Sequence, residues 1–157
     1  MVQPTFCHKD AFWVLGIQER ANPMQVDYHA FWDLFEARAA EVQPIATEPA
    51  GYGVYFPTGQ EGVVDVFGGM AVAPDASAPD GLVLREVPAA DYAIVECTMG
   101  GIGPTWGAIY EEWLPSSGYE EDGPKPCFEH FPPGCHEGTA PVRIHLPVRK
   151  KGQDINR

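Results

Sequence analysis

Apolar positions along this chain follow two rhythms, a short unbroken run and a helical stripe, which succeed each other in the same order twice. Residues 11–17 (Ala-Phe-Trp-Val-Leu-Gly-Ile) form an apolar run of strand length. Asn22-Pro23 interrupts it, and Tyr28, Phe31, Trp32, Leu34 and Phe35 then recur at helical spacing up to about Ala40. Asp27 stands where an N-cap is needed. A short strand is predicted over Tyr52–Phe56 and a long one over residues 62–72, whose Gly68-Gly69 pair suggests a bulge or a close backbone approach. The order is β-α-β-β.

The second half repeats it. Residues 91–98 read as a strand, residues 100–104 (Gly-Gly-Ile-Gly-Pro) as a turn, and Thr105 to Leu114 as a helix stopped by Pro115 and a Ser-Ser-Gly loop. Residues 125–131 and 142–148 supply the last two strands. Trp32 precedes Val54 by 54 − 32 = 22 residues, and Trp106 precedes Phe128 by 128 − 106 = 22. In that register Tyr55 is the counterpart of Glu129. Two such units bury their apolar sheet faces by joining edge to edge or face to face, with helices packed outside. The predicted fold is α+β: duplicated β-α-β-β units related by a pseudo-twofold axis, antiparallel sheets, two main helices and a central ligand cleft. Symmetry would bring Tyr55 and Glu129 together across that cleft, although a one-residue slip would turn either away.

At 157 residues the chain has the length of one domain, with a core expected over about residues 8–149 and a polar tail over 150–157. Its 22 acids against 10 Lys and Arg give a formal net charge of −12, which argues against direct nucleic-acid or anionic-membrane partners. The basic run Arg149-Lys150-Lys151 reads as part of the solvated tail. The first residues offer neither a basic leader nor a bilayer-length apolar run, so a cytoplasmic protein is expected. Four scattered cysteines fit reduced thiols. Cys127, His130, Cys135 and His136 form a weak zinc pattern, because no second half-site accompanies them. No metal or cofactor is expected.

Glu129 carries the chemistry. It sits inside Pro-Cys-Phe-Glu-His-Phe (126–131), a run that reads as a buried strand, and a buried acid requires a cation, a proton or a hydrogen-bond donor. The alternative is a strand carboxylate paired with an arginine or facing solvent. Trp106, Tyr110 and Trp113 recur at i, i+4 and i+7, a spacing that marks a core stripe as readily as a pocket wall; Trp106 is expected at the cavity and Trp113 in the core, with Tyr110 open. Phe31, Trp32 and Phe35 read first as core, with Phe31 carried as a further wall residue. Phe67 beside Gly68-Gly69 offers a stacking face where glycines admit a ligand. The histidines have no hydroxyl nucleophile or carboxylate at suggestive spacing, so a Ser-His-Asp reading has nothing to support it.

Several short pieces then fall into one order: Tyr52-Gly53-Val54-Tyr55, residues 88–93 (Pro-Ala-Ala-Asp-Tyr-Ala), Gly103-Pro104-Thr105-Trp106, residues 113–119 (Trp-Leu-Pro-Ser-Ser-Gly-Tyr), residues 128–131 (Phe-Glu-His-Phe) and residues 144–148 (Ile-His-Leu-Pro-Val). Over nearly its whole length the chain resembles the bacterial gyrase-inhibitor-like effector-binding domains found at the C-terminus of AraC-type and MerR-type regulators and also as free-standing proteins. The resemblance implies a pseudo-symmetric domain binding hydrophobic aromatic, often cationic molecules, with Glu129 as buried counter-ion and Trp106, Tyr55, Tyr110, Phe67 and Phe31 as candidate ligand contacts. Phe131 departs from the family, which commonly has tyrosine there. No helix-turn-helix segment precedes the domain in this chain, so regulation of transcription would need a separate DNA-binding partner. Some free-standing members similar in sequence act as hydrolases that open strained cyclopropanoid rings, for which Glu129 and Tyr55 would be the acid–base pair. A third reading is an acidic inhibitor of a nucleic-acid enzyme such as gyrase, although the acids are spread rather than striped.

Overall fold

A computed structural model describes residues 2–152. Nine strands, β1 Thr5–Lys9, β2 Phe12–Ala21, β3 Gly51–Pro57, β4 Val64–Val72, β5 Val83–Val87, β6 Ala90–Cys97, β7 Tyr119–Glu121, β8 Cys127–Phe131 and β9 Val142–Lys150, form one mixed-order sheet. Its order is β1-β6-β9-β8-β3-β4-β2-β5, all neighbours antiparallel, with β7 attached to β9. Read outward from the β3–β8 seam, the two halves match: β3, β4, β2, β5 on one side and β8, β9, β6, β1 on the other. The units are joined edge to edge.

Helix α1 (Tyr28–Glu36) starts at Asp27, whose side chain accepts from the Ala30 amide at 3.1 Å. A short α2 (Ala39–Val42) follows. Helix α3 begins at Ile102–Ala108, widens into a π-helical turn over Ile109–Trp113 and closes over Leu114–Ser116. It starts three residues earlier than the glycine-rich run predicts. Pro104 falls in its first turn, where a missing N–H breaks no helical bond.

Three apolar clusters hold these layers. Under α1, Phe35, Ala39 and Val42 meet Leu15, Met70 and Val72. Under α3, Ile109 and Trp113 meet Ala93, Val95, Ile144, Leu146 and Val148. On the opposite face the sheet curls enough for Phe12 of β2 and Tyr92 of β6 both to touch Phe128, with centroids at 5.6 Å and 5.2 Å. The two helix-covered clusters leave the β3–β8 seam between them: Tyr55, Glu129 and Phe131 belong to neither cluster's buried set.

Side-chain alternation places Gly68 on the α1 side and Phe67 on the far side. An added Cβ at Gly68 would lie 2.8 Å from the Phe31 ring, and one at Gly69 would lie 2.2 Å from the Leu15 carbonyl oxygen. The glycine pair therefore admits α1 and strand β2, rather than a ligand. The basic run is also not a free tail: Arg149 and Lys150 belong to β9, and Arg149 Nε donates to Glu120 at 2.8 Å. Residues 153–157 of the expected tail lie outside the described residues.

Candidate functional site

The floor of the groove is set by strand register. Gly53 pairs with Glu129 and Tyr55 with Cys127, so Tyr55 and Glu129 are diagonal neighbours on one face. Val54 and Phe128 point to the other. The Tyr55 hydroxyl donates to Glu129 Oε2 at 3.1 Å, and Trp106 Nε1–H donates to the same oxygen at 2.8 Å. Glu129 is 6% exposed. Among the described residues no Lys, Arg or His pairs with it, and Oε1 has no hydrogen-bond partner. Opposite Oε1 lies Gly53, where a Cβ would stand only 3.2 Å away.

Aromatic rings wall this carboxylate. Trp106 lies perpendicular to Tyr55 at 6.4 Å and stacks on Tyr110 at 5.8 Å. From the other helix, Trp32 lies edge-on to Phe131 at 5.6 Å and reaches over Gly53. Tyr28 opens α1 near Tyr55, its hydroxyl donating to the Pro23 carbonyl at 2.5 Å. Burial raises the Glu129 carboxyl above the ordinary carboxylate range, and the two hydrogen bonds oppose that shift without cancelling it. Burial and the nearby Glu129 charge likewise push the Tyr55 phenol upward.

A second buried carboxylate shows what full pairing looks like. Asp65 of β4, 5% exposed, accepts from Arg20 Nε and Nη2 at 2.9 and 3.1 Å and from Arg85 Nη1 at 3.0 Å. These partners, Arg20 foremost, outweigh desolvation and hold its carboxyl below the ordinary range.

The structure thus gathers Glu129, Tyr55, Trp106 and Tyr110. It does not bring Phe67 to them: that ring is fully buried on the opposite face, perpendicular to Phe56. Phe31 is 3% exposed and fills the space beside Gly68, so it is packing under α1. Trp32, read first as core, takes the place on this wall that had been given to Phe31. A signal for it existed, because 106 − 32 = 74 and 129 − 55 = 74: one offset relates both pairs. Cys127 and His130, two of the four zinc candidates, fall on opposite faces of β8.

A buried carboxylate on the seam of a duplicated sheet, walled by aromatic rings and paired with no cation among the described residues, defines a class: a pseudo-symmetric α+β domain for small molecules. The chain belongs to the GyrI-like small molecule binding domain family, which it matches over residues 2–149. A "DNA gyrase inhibitor" of Erwinia billingiae (strain Eb661) is 36% identical over 75 residues, covering 45% of this chain and 47% of that protein. The chain therefore spans about half the length of that curated relative. The fold is shared with SAV2435 bound to tetraphenylphosphonium, at TM-score 0.78 and 14% identity over 94% of each chain. It is also shared with the EcmrR C-terminal domain, at TM-score 0.69 and 14% identity over 96% of this chain and 99% of that one. No helix among the described residues is long and apolar enough to cross a membrane.

Proposed function

We propose that this domain takes up hydrophobic aromatic cations between α1 and α3, with Glu129 as the counter-ion. The observation that carries this reading is the unpartnered Oε1 of a buried glutamate whose hydrogen bonds come only from neutral donors. A charge in such a place is costly until a cation arrives. Trp106, Tyr110 and Trp32 would add ring faces to a flat or propeller-shaped aromatic ligand. The acidic protein favours the approach of cations. Tetraphenylphosphonium, present in the SAV2435 structure, has this chemistry.

The test is calorimetric titration with tetraphenylphosphonium beside neutral triphenylphosphine oxide. Saturable binding of the cation and at least about tenfold weaker binding of the oxide support the reading. Equal affinity for both would show that the charge of Glu129 is not used.

A second reading rests on the Tyr55–Glu129 hydrogen bond. A carboxyl with a raised pKa can hold a proton for a leaving group, and the phenol can orient water or polarise a substrate. This describes a hydrolase of strained electrophiles such as cyclopropanoids. It requires ring-opened product from the wild type and none from Glu129→Gln or Tyr55→Phe; binding of the intact compound without turnover would remove it.

A further inference from the structure

The opposite side of the β3–β8 seam carries a second polar site. Tyr52 and His130 are cross-strand partners there, and both reach Glu48 in the loop before β3: Tyr52 Oη donates to Oε2 at 2.7 Å and His130 Nε2 lies 3.0 Å from Oε1. Burial works against the charge of Glu48, but these two bonds outweigh it and hold the carboxyl below its ordinary range. Both of its oxygens are occupied.

Beside this group is a cavity of about 170 Å³ that also reaches Lys9, Arg143 and His145. Pockets for drug-sized ligands run from roughly 300 to 1,000 Å³, so its occupant is small. The lining is cationic in a protein of net charge −12. Lys9 has no hydrogen-bond or ion-pair partner among the described residues; its ammonium rests 4.8 Å from the Phe12 ring centroid. Arg143 commits Nε to Glu96 at 3.1 Å and leaves both terminal nitrogens without an acceptor among the described residues. One carboxylate, already satisfied, thus faces two cations with donors to spare.

His145 adds the opposite polarity. Its ring is stacked on Phe128 at 4.2 Å, and Nδ1 lies 3.2 Å from the Arg143 carbonyl oxygen. A carbonyl only accepts, so Nδ1 carries the proton, and Nε2 of the neutral ring is an acceptor without a donor among the described residues. Burial lowers the His145 pKa to about 4, which keeps the ring neutral near pH 7.

We propose that this cavity binds a small 2-hydroxycarboxylate, its carboxylate held by Lys9 and Arg143 and its hydroxyl donated to His145 Nε2. A 2-amino acid fits less well, because its ammonium would sit among these cations. The site is separated from Glu129 by the sheet, so its occupancy does not depend on the cation reading.

The experiment titrates the wild-type protein with glycolate, acetate and inorganic phosphate, following the ring signals of His130 and His145 by NMR. Saturable shifts with glycolate, at about tenfold higher affinity than acetate or phosphate, are expected. Lys9→Gln and Arg143→Gln should each weaken glycolate about tenfold or more. His145→Gln should lower glycolate to the acetate level while leaving acetate unchanged, a result that also shows the variant is folded. Glu129→Gln should leave glycolate binding intact. Absence of saturable shifts with any of the three, equal affinities for glycolate, acetate and phosphate, or insensitivity to Lys9→Gln would overturn the proposal.

Discussion

Asp65 and Glu129 are both carboxylates on central strands, and both are almost wholly buried, at 5% and 6% exposure. Asp65 has two arginines; Glu129 has an indole and a phenol. Their pKa values move in opposite directions: the arginines, Arg20 foremost, lower that of Asp65, and burial raises that of Glu129. A protein that needed only a stable sheet would have no use for the second arrangement, because burying an acid without a cation lowers stability. Among the described residues no positive charge meets Glu129, and this is the observation behind the proposed cationic ligand.

The sharpest way to break this contrast is Glu129→Gln. It should lower tetraphenylphosphonium affinity by about a hundredfold in calorimetry, since the amide keeps the shape and loses the charge. Asp65→Asn should leave binding alone and lower stability by about 2 kcal/mol in urea unfolding, because charged hydrogen bonds are weakened and the arginines lose their anion. The two carboxylates also differ in pH slope. Asp65 stabilises the fold above its ordinary value near 3.9, and that contribution is lost as pH falls through its lowered folded value. For Glu129 the contribution is full below the ordinary value of about 4.3 and is lost as pH rises through its raised folded value. Glu129→Gln should therefore flatten a decline in stability just above about pH 4.3, seen by chemical denaturation across pH.

Smaller effects would refine the picture. Trp106→Phe retains an aromatic ring and removes one donor, so the pH at which cation affinity rises should move up, with only about a threefold loss at neutral pH. Gly53→Ala brings a methyl against Oε1 and Phe131. It should reduce affinity about twofold and change stability by no more than about 1 kcal/mol.

What could be read from the chain follows from where each element lies. Six strands and both long helices carry apolar runs or stripes because they face a core on at least one side. β1, β5 and β7 escaped notice: Thr5–Cys7 and Glu86 are exposed, and β7 has three residues. Edge strands have little to bury, so they leave little pattern. The 22-residue spacing repeated in both halves carried the meeting of Tyr55 and Glu129, because register in a duplicated sheet is inherited by both units. Phe67 was misplaced because a glycine pair says that something approaches the backbone without saying what. Glu48 could not be foreseen, since a loop residue has no period to betray its direction.

The edge strands hold one more consequence. β1 lies beside β6 as β5 lies beside β2, both antiparallel. The true repeat is thus one strand longer than β-α-β-β, and its last member in the second copy is found at the front of the chain. Topologically this is a circularly permuted tandem repeat: opened between Val87 and Ala90 and rejoined at its ends, it would run as two complete copies in succession. Cleavage at that same point in the natural order would release one fragment carrying a strand too many and another carrying one too few. The pair could regain the native sheet only by associating, each fragment serving as the other's template.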